Sequence, residues 1–127
     1  MAVLDEFNNA VTTRNLDKVL DLFKPDPDVF LLGSEAGESA TGREELESFF
    51  RRVFSRDVAF SWTWKEWIVS AKGQVAWVAL DTTVHMSSER GVKSAPYRIT
   101  AVLEHRGGRG RRGARWLLAQ YHGSEPA

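Results

Sequence analysis

The spacing of hydrophobic residues changes once along this chain, and that change restricts the folds available to it. Up to residue 54, apolar residues recur at the three- and four-residue intervals of amphipathic helices. From residue 57 onward they alternate with other side chains, in runs separated by glycine-containing turns, as strands do. Helices followed by consecutive strands predict an α+β fold, with a curved, largely antiparallel sheet wrapped around N-terminal helices.

The helical part of the sequence divides into two predicted helices. The first covers residues 1–23, and a break at its polar middle, residues 12–15, stays open. Residues 29–32 form a short apolar strand candidate. Thr41 and Glu44 have the spacing of a capping box, which predicts that a second amphipathic helix begins there.

The second part of the sequence predicts four long strands joined by turns. Their predicted bounds are 58–69, 74–85, 97–106 and 114–124. With 127 residues, the chain has enough length for one hydrophobic core and little more. We therefore expect a single domain over residues 1–127.

Composition excludes several classes of function. The chain has no cysteine, which excludes disulfide scaffolds, thiolate metal sites and thiol catalysis. Its three histidines lack the close spacing of metal ligands, so we expect neither a metal nor a cofactor. No apolar run approaches the roughly 20 residues of a membrane span. No secretion signal opens the chain, and the expected location is cytoplasmic.

A glycine-rich turn at residues 106–115 concentrates positive charge. Its arginines are Arg106, Arg109, Arg111, Arg112 and Arg115. Such a turn can hold phosphates by charge alone. No aromatic residues are interleaved with the arginines, which favours a solvated hairpin over a nucleic-acid site.

Several segments, taken in order, resemble the SnoaL-like branch of the nuclear transport factor 2-like superfamily. The matching segments are Phe30-Leu31-Leu32-Gly33, Gly42-Arg43-Glu44-Glu45-Leu46, Ala76-Trp77-Val78, Tyr97-Arg98-Ile99-Thr100 and the ending Trp116 to Ser124. The resemblance implies a cystatin-like cone, in which a bent sheet and helices enclose a pocket, and it implies a homodimer. Functions in this superfamily range from ketosteroid isomerases and polyketide cyclases to assembly domains without chemistry.

Four polar residues on two predicted strands are candidates for a site. Arg98 and Thr100 share one face of their strand, and Gln120 and His122 share a face of the last strand; the resemblance implies that both faces look into the cone. A guanidinium, an amide and an imidazole suit a carboxylate, phosphate or enolate oxygen. Because histidine titrates near neutrality, His122 is a candidate acid or base. Alternatively, Arg98, Glu104 and His122 satisfy one another without a ligand.

Asp81, Trp62 and Trp64 complete the set of candidates. Asp81 shares a strand face with Trp77, and carboxylates in apolar surroundings can act as enolising bases. The alternative is an exposed Asp81, on the dimer-facing or solvent-facing side, that pairs with an arginine. Trp62 and Trp64 share a face and can form an aromatic pocket wall, or they can simply belong to the core.

Two hypotheses of function follow. In the first, the chain binds a small hydrophobic or carboxylate-bearing molecule. It would then act by cofactor-free proton transfer as an isomerase, cyclase or hydratase, with His122 or Asp81 as base and Arg98 stabilising the oxyanion. The chain does not reproduce the tyrosine and aspartate donors of ketosteroid isomerases. In the second hypothesis, the chain is a non-catalytic dimeric interaction or assembly domain.

Overall fold

The fold has three helices and six strands within the part of the chain that the structure describes. The computed structural model describes residues 2–107 and 115–126, except for the side chains of residues 65 and 66. The helices are α1 (Ala2–Thr12), α2 (Leu16–Asp21) and α3 (Gly42–Phe54). The strands are β1 (Phe30–Leu32), β2 (Ser39–Thr41), β3 (Ala59–Lys72), β4 (Val75–Ser88), β5 (Gly91–Arg106) and β6 (Arg115–Ser124).

Local side-chain chemistry determines where the helices begin and end. The N-terminal helical segment is divided, because Arg14 adopts a left-handed φ of 55° and the Asn15 side chain accepts a hydrogen bond from the Lys18 N–H at the start of α2. At α3, the predicted capping box is wrong. The Thr41 side chain makes no cap hydrogen bond, and the Thr41 N–H instead donates to the Glu45 carboxylate at 3.0 Å.

The sheet is mixed but mostly antiparallel, which confirms the predicted fold class. Its strand order is β2-β1-β6-β5-β4-β3. Among the described strands, β1 and β6 pair in parallel and the other neighbours pair antiparallel. Register shifts occur between Trp64 and Glu66 in β3 and between Val102 and Leu103 in β5. Bulges of this kind bend and twist the long strands, as a sheet that wraps around helices requires.

The two faces of the sheet differ in what covers them. On the inner face, which packs against the helices, side chains are buried at every second position: Ala76, Val78, Leu80, Thr82 and Val84 in β4, and Tyr97, Ile99, Ala101 and Leu103 in β5. The alternating residues between them form the outer face. In β4 these residues are largely exposed, and Trp77 is 47% exposed.

Phe7 of α1 lies at the centre of the core. It is 2% exposed, and its ring contacts four other aromatic rings at centroid distances of 4.7–6.2 Å. These rings belong to Phe23, Phe50, Trp62 and Tyr121. Phe7 therefore joins α1 to α3 and to strands from both halves of the sheet.

Candidate functional site

A cavity of about 130 Å³ lies between α1, α3 and the inner face of the sheet. Most of its wall is apolar. The apolar lining residues include Phe7, Val11, Leu31, Phe49, Phe50, Val53, Phe60, Val84 and Met86. Wall residues come from both helices and from strands β1, β3, β4, β5 and β6, so the cavity depends on the whole fold.

Two buried hydrogen-bond donors in the cavity wall have no partner among the described residues. They are the Trp62 indole Nε1 and the Tyr121 hydroxyl Oη. Burial raises the pKa of Tyr121 well above its ordinary value, so this side chain remains a neutral donor. An unpaired buried polar group costs about 1–3 kcal/mol, and each such group calls for an explanation.

Polar residues, all of them exposed except the half-buried Glu38, line one end of the cavity and form its mouth. They come from the loop after β1, from the end of α3 and from the C-terminal segment: Ser34, Glu35, Glu38, Arg56 and Glu125. Glu38 is held in place, since its carboxylate accepts a hydrogen bond from the Glu35 N–H at 2.9 Å and lies 3.8 Å from Arg56. The mouth therefore carries more negative than positive charge.

Tyr97 lies between the mouth and the deep part of the cavity. Its pKa is raised, chiefly by burial and against the effect of a hydrogen bond with the Ser34 side chain; the nearby carboxylates Glu38 and Glu125 raise it further. The Tyr97 hydroxyl passes directly over Gly123 of β6, where an added Cβ would collide with it. Glycine at this position therefore allows the phenol ring to reach the cavity.

The predicted inward orientation of the strand faces that carry Arg98 and His122 is wrong. Ile99 and Tyr121 are buried on the helix side, so the alternating residues Arg98, Thr100, Gln120 and His122 lie on the outer face. Thr100 stands opposite His122 in the register of β5 and β6. None of these four side chains lines the inner cavity. Their proposed roles in catalysis and ligand binding stay predictions.

The other three candidates are divided between the two faces. Trp62 lines the cavity. Trp64 packs against the core on the same side, but its indole Nε1 donates to Asp5 at 3.0 Å and it does not line the cavity. Asp81 is exposed on the outer face, directly opposite Arg98 in the register of β4 and β5. Among the described residues, neither of these two charges has an ion-pair partner.

Glu104 and the arginine-rich turn have different partners from those that the sequence suggested. Glu104 does not bond to Arg98 or His122; it bonds to Lys24 and Arg106, at 2.8 and 2.9 Å. In the arginine-rich turn, Arg106 and Arg115 form ion pairs with Asp26 and Asp21. The other arginines of the turn, Arg109, Arg111 and Arg112, lie outside the described residues.

Sequence reasoning overlooked Tyr97, Tyr121 and Glu38 as cavity residues. A signal for Tyr97 is present in β5, where residues 97, 99, 101 and 103 are all apolar or aromatic and the alternating positions carry Arg98 and Glu104. That alternation identifies the odd-numbered positions as the core face. Glu38 lies in a polar loop, for which no periodicity applies.

Comparison with protein families shows which family this chain belongs to. A model of the SnoaL-like domain matches residues 1–127. The chain belongs to the SnoaL-like family. No curated protein sequence shows significant similarity to this SnoaL-like chain. Within the described residues, no group of three or more histidine or carboxylate side chains is suited to a metal ion, and no helix has the length and apolar character of a membrane span.

Several solved structures share the fold of this SnoaL-like chain. A protein from Streptomyces avermitilis, provisionally described as a dehydratase of the NTF2-like family, is 16% identical with a TM-score of 0.81 over 98% of this chain and 92% of its own. A Xanthomonas campestris protein, provisionally described as a calcium/calmodulin-dependent protein kinase II association domain, is 27% identical (TM-score 0.78; 98% and 84% covered). A Novosphingobium aromaticivorans protein, provisionally described as an aromatic ring hydroxylase, is 19% identical (TM-score 0.78; 99% and 85% covered).

Proposed function

We propose that this SnoaL-like chain binds one small, mostly apolar molecule in its inner cavity. The cavity itself carries the proposal, because its wall is aromatic and aliphatic while its mouth is polar. An apolar cavity of roughly 150 Å³ holds one benzene-sized molecule, and this cavity, at about 130 Å³, is close to that volume. The part of the ligand inside the cavity should therefore be no larger than a six-membered ring with a small substituent.

Binding is supported more directly than catalysis. The predicted bases His122 and Asp81, and the predicted oxyanion donor Arg98, lie across the sheet from the cavity. A proton-transfer reaction inside the cavity would instead use a carboxylate of the mouth. Of the three mouth carboxylates, Glu35, Glu38 and Glu125, Glu38 is the most buried, with a side chain 18% exposed. Proton transfer thus needs a different base from the one that the sequence suggested.

Filling the cavity should abolish binding of a small probe. Val53 lines the cavity from α3 and is half-buried, so Val53→Phe places a ring in the space that the ligand needs. We expect toluene or cyclohexanone to bind the native protein and to bind the variant at least about tenfold more weakly, a change of roughly 1.4 kcal/mol. Ligand titration followed by Trp fluorescence or NMR chemical shifts measures this.

The matched control for cavity filling is Val92→Phe. Val92 lies on β5 and is 65% exposed, so the added ring enters solvent and binding should not change. Equal affinity in the native protein and in Val53→Phe, or no binding of any small probe by the native protein, would contradict a ligand site in the cavity.

The outer face of the sheet supports a second proposal, a homodimer formed face to face. Ile68 and Trp77 are 66% and 47% exposed on this face. Asp81 and Arg98 stand beside them with opposite charges and no ion-pair partner among the described residues. A two-fold axis brings the same patch of two copies together, so that Asp81 of one copy can meet Arg98 of the other. The association-domain description of the Xanthomonas campestris protein favours the same reading.

Charge reversal tests this dimer. Asp81→Arg or Arg98→Asp alone places like charges across the interface and should weaken dimerisation by about five- to tenfold, whereas the double variant should restore it. Sedimentation equilibrium measures the dissociation constant. A monomeric native protein at high concentration would contradict the dimer, and two single variants that dimerise like the native protein would exclude the cross-subunit pairing.

A further inference from the structure

We propose that the ligand of the inner cavity is a small primary amine, whose carbon frame fills the apolar interior and whose ammonium group lies at the acidic mouth. This inference rests on the proposed ligand binding and specifies the charge and the chemical class of the ligand. The apolar cavity defines the site, and the charges at its mouth determine which head group a ligand can carry there.

The charges of the cavity wall are concentrated at its mouth. Among the described residues that line the cavity, the side chains charged at neutral pH are three carboxylates, Glu35, Glu38 and Glu125, and one guanidinium, Arg56. The rest of the described lining is apolar or carries neutral polar groups. Negative charge therefore exceeds positive charge at the mouth, and no charge of either sign lines the interior in the described part of the chain.

Glu38 is held in a defined position at the mouth. Its side chain is 18% exposed, and its Oε1 accepts a hydrogen bond from the Glu35 N–H at 2.9 Å. Its Oε2 lies 3.8 Å from the Arg56 guanidinium, which is too long for a hydrogen bond. Because the Arg56 side chain is 46% exposed, water screens this ion pair, and the guanidinium does not fully neutralise the carboxylate. The negative charge is thus in place before a ligand binds.

The field of the mouth carboxylates extends into the cavity. Tyr97 lines the cavity between its mouth and its interior and is 8% exposed. The pKa of Tyr97 is raised, chiefly by burial and further by the negative charges of Glu38 and Glu125, against the effect of its hydrogen bond with Ser34. Charges that disfavour a phenolate at this position favour a cation there, and apolar walls screen them less than water does.

The two parts of the cavity require a ligand with two different ends. Apolar side chains such as Phe7, Phe50 and Val84 line the interior, where an ammonium group would lose its hydration without compensation. At the exposed mouth the same group keeps part of its water and lies near the carboxylates. A ligand with a carboxylate head group would be repelled there, and a neutral ligand would gain nothing from the charges.

Benzylamine has both of these ends. An apolar cavity of roughly 150 Å³ holds a benzene ring, and one carbon joins the ring of benzylamine to its amino group. Aliphatic amines are protonated at pH 7, as the lysine side chain is with its pKa of about 10.4. Benzylamine is therefore the probe for this inference.

The test compares probes that share one ring and differ in the charge of the head group. Benzylamine is a cation at pH 7, benzyl alcohol is neutral and benzoate is an anion. In about 0.1 M salt we expect the native protein to bind benzylamine about five- to tenfold more tightly than benzyl alcohol, and benzoate more weakly than either. In about 1 M salt, where the Debye length falls from about 10 Å to about 3 Å, this preference should narrow to less than about twofold. Titrations followed by NMR chemical shifts give the dissociation constants.

Removing negative charge from the mouth should remove the preference for benzylamine. In Glu38→Gln the amide oxygen can still accept the hydrogen bond from the Glu35 N–H, so the loop should keep its conformation. Glu125→Gln changes an exposed side chain. The double variant should bind benzylamine about fivefold more weakly than the native protein does, while its affinity for benzyl alcohol should change by less than about twofold.

Two further variants test the sign and the location of the effect. Arg56→Gln removes the single positive charge of the described cavity lining, so it should strengthen benzylamine binding by about two- to threefold. The Arg56 carbonyl still accepts its hydrogen bond from Arg14, because that oxygen belongs to the main chain. Glu44→Gln is the matched control, since Glu44 is exposed near the start of α3, about 13 Å along the helix axis from Val53. The ratio of the two affinities should remain native in this control.

The outcomes separate this inference from the proposal on which it rests. If the native protein binds benzylamine no more tightly than benzyl alcohol, or if the double variant keeps the native preference, recognition of a cation is overturned and the cavity remains a site for neutral molecules. An equal loss in Glu44→Gln and in the double variant would also overturn it, because the effect would then follow the net charge of the protein. If neither these probes nor toluene bind, the ligand site itself fails and the inference fails with it.

Discussion

Replacing Phe7 with alanine is expected to lower the free energy of unfolding by about 3–5 kcal/mol. Phe7 is 2% exposed and contacts aromatic rings from α3, from β3 and β6, and from the segment after α2. The substitution removes the favourable transfer free energy of a buried ring. It also leaves a void, because the helices and the sheet cannot move towards each other far enough to close it. Because domains of this size are stable by only about 5–15 kcal/mol, the loss is a large fraction of the total.

Urea unfolding monitored by circular dichroism measures the effect of Phe7→Ala. Val92→Ala, at a position 65% exposed, should change stability by less than about 0.5 kcal/mol and serves as the control. Phe7 also lines the cavity that we propose binds a ligand, so a folded variant should accept larger apolar molecules than the native protein does. A loss of less than about 1 kcal/mol in Phe7→Ala would show that the core does not depend on this ring.

The sequence predicts the fold well because the segments with helical periodicity and those with strand alternation are long. Each of the strands β3 to β6 extends for ten residues or more, so alternation could be read despite the bulges. β2 was overlooked because Ser39–Thr41 is short, polar at two of three positions and embedded in a loop. Its pairing with β1 depends on tertiary contacts, for which no local pattern exists.

The candidate site was predicted less well. Successive side chains of a strand point to opposite faces of the sheet, so the prediction depends on knowing which set of alternate positions faces the helices. A shift of one residue moves every side chain of a strand to the other face. The sequence pattern correctly grouped Arg98 with Thr100 and Gln120 with His122, but it did not establish which group faces the helices. The apolar residues Ile99 and Leu103 occupy the inner face because burial of their apolar surface stabilises the core.

Contacts between residues far apart in sequence were beyond prediction. Trp62 and Asn8 are separated by 54 positions, yet the Asn8 amide bonds both the N–H and the C=O of Trp62, at 3.0 and 2.9 Å. The amide thereby satisfies backbone groups at the free edge of β3 and fixes the strand next to α1. This contact positions the Trp62 indole in the cavity wall, although nothing near either residue in the sequence indicates the pair.

The second large effect is expected where Lys24 is buried among acidic residues. Lys24 is 6% exposed, and its Nζ lies 2.8 Å from Glu104 and 2.9 Å from Asp28. Burial acts to lower the pKa of Lys24, but the hydrogen bonds to Glu104 and Asp28 outweigh it, and the pKa is raised. Glu104 also bonds to Arg106, and its own pKa is lowered, chiefly by the hydrogen bond from Lys24.

Glu104→Gln should therefore destabilise the fold by about 1–3 kcal/mol at pH 7, because a buried ammonium loses its closest compensating charge. The matched variant Asp28→Asn should have a much smaller effect, since the Asp28 side chain is 77% exposed. Lys24→Met combined with Glu104→Leu should cost less than the sum of the two single changes, because no charge is then left unpaired between these positions. Equal effects of Glu104→Gln and Asp28→Asn would contradict this account.

Lowering the pH should weaken the interaction between Lys24 and Glu104 in the native protein. The folded-state pKa of Glu104 lies below its unfolded value, so the stabilisation is fully present above the unfolded pKa and is lost as the pH falls through the folded one. Unfolding free energies measured between about pH 6 and pH 3 should decline less steeply in Glu104→Gln than in the native protein. Cyclohexanone affinity should be unchanged in this variant at pH 7, because neither Lys24 nor Glu104 lines the cavity. The Lys24–Glu104 pair thus contributes to stability without forming part of the proposed ligand site.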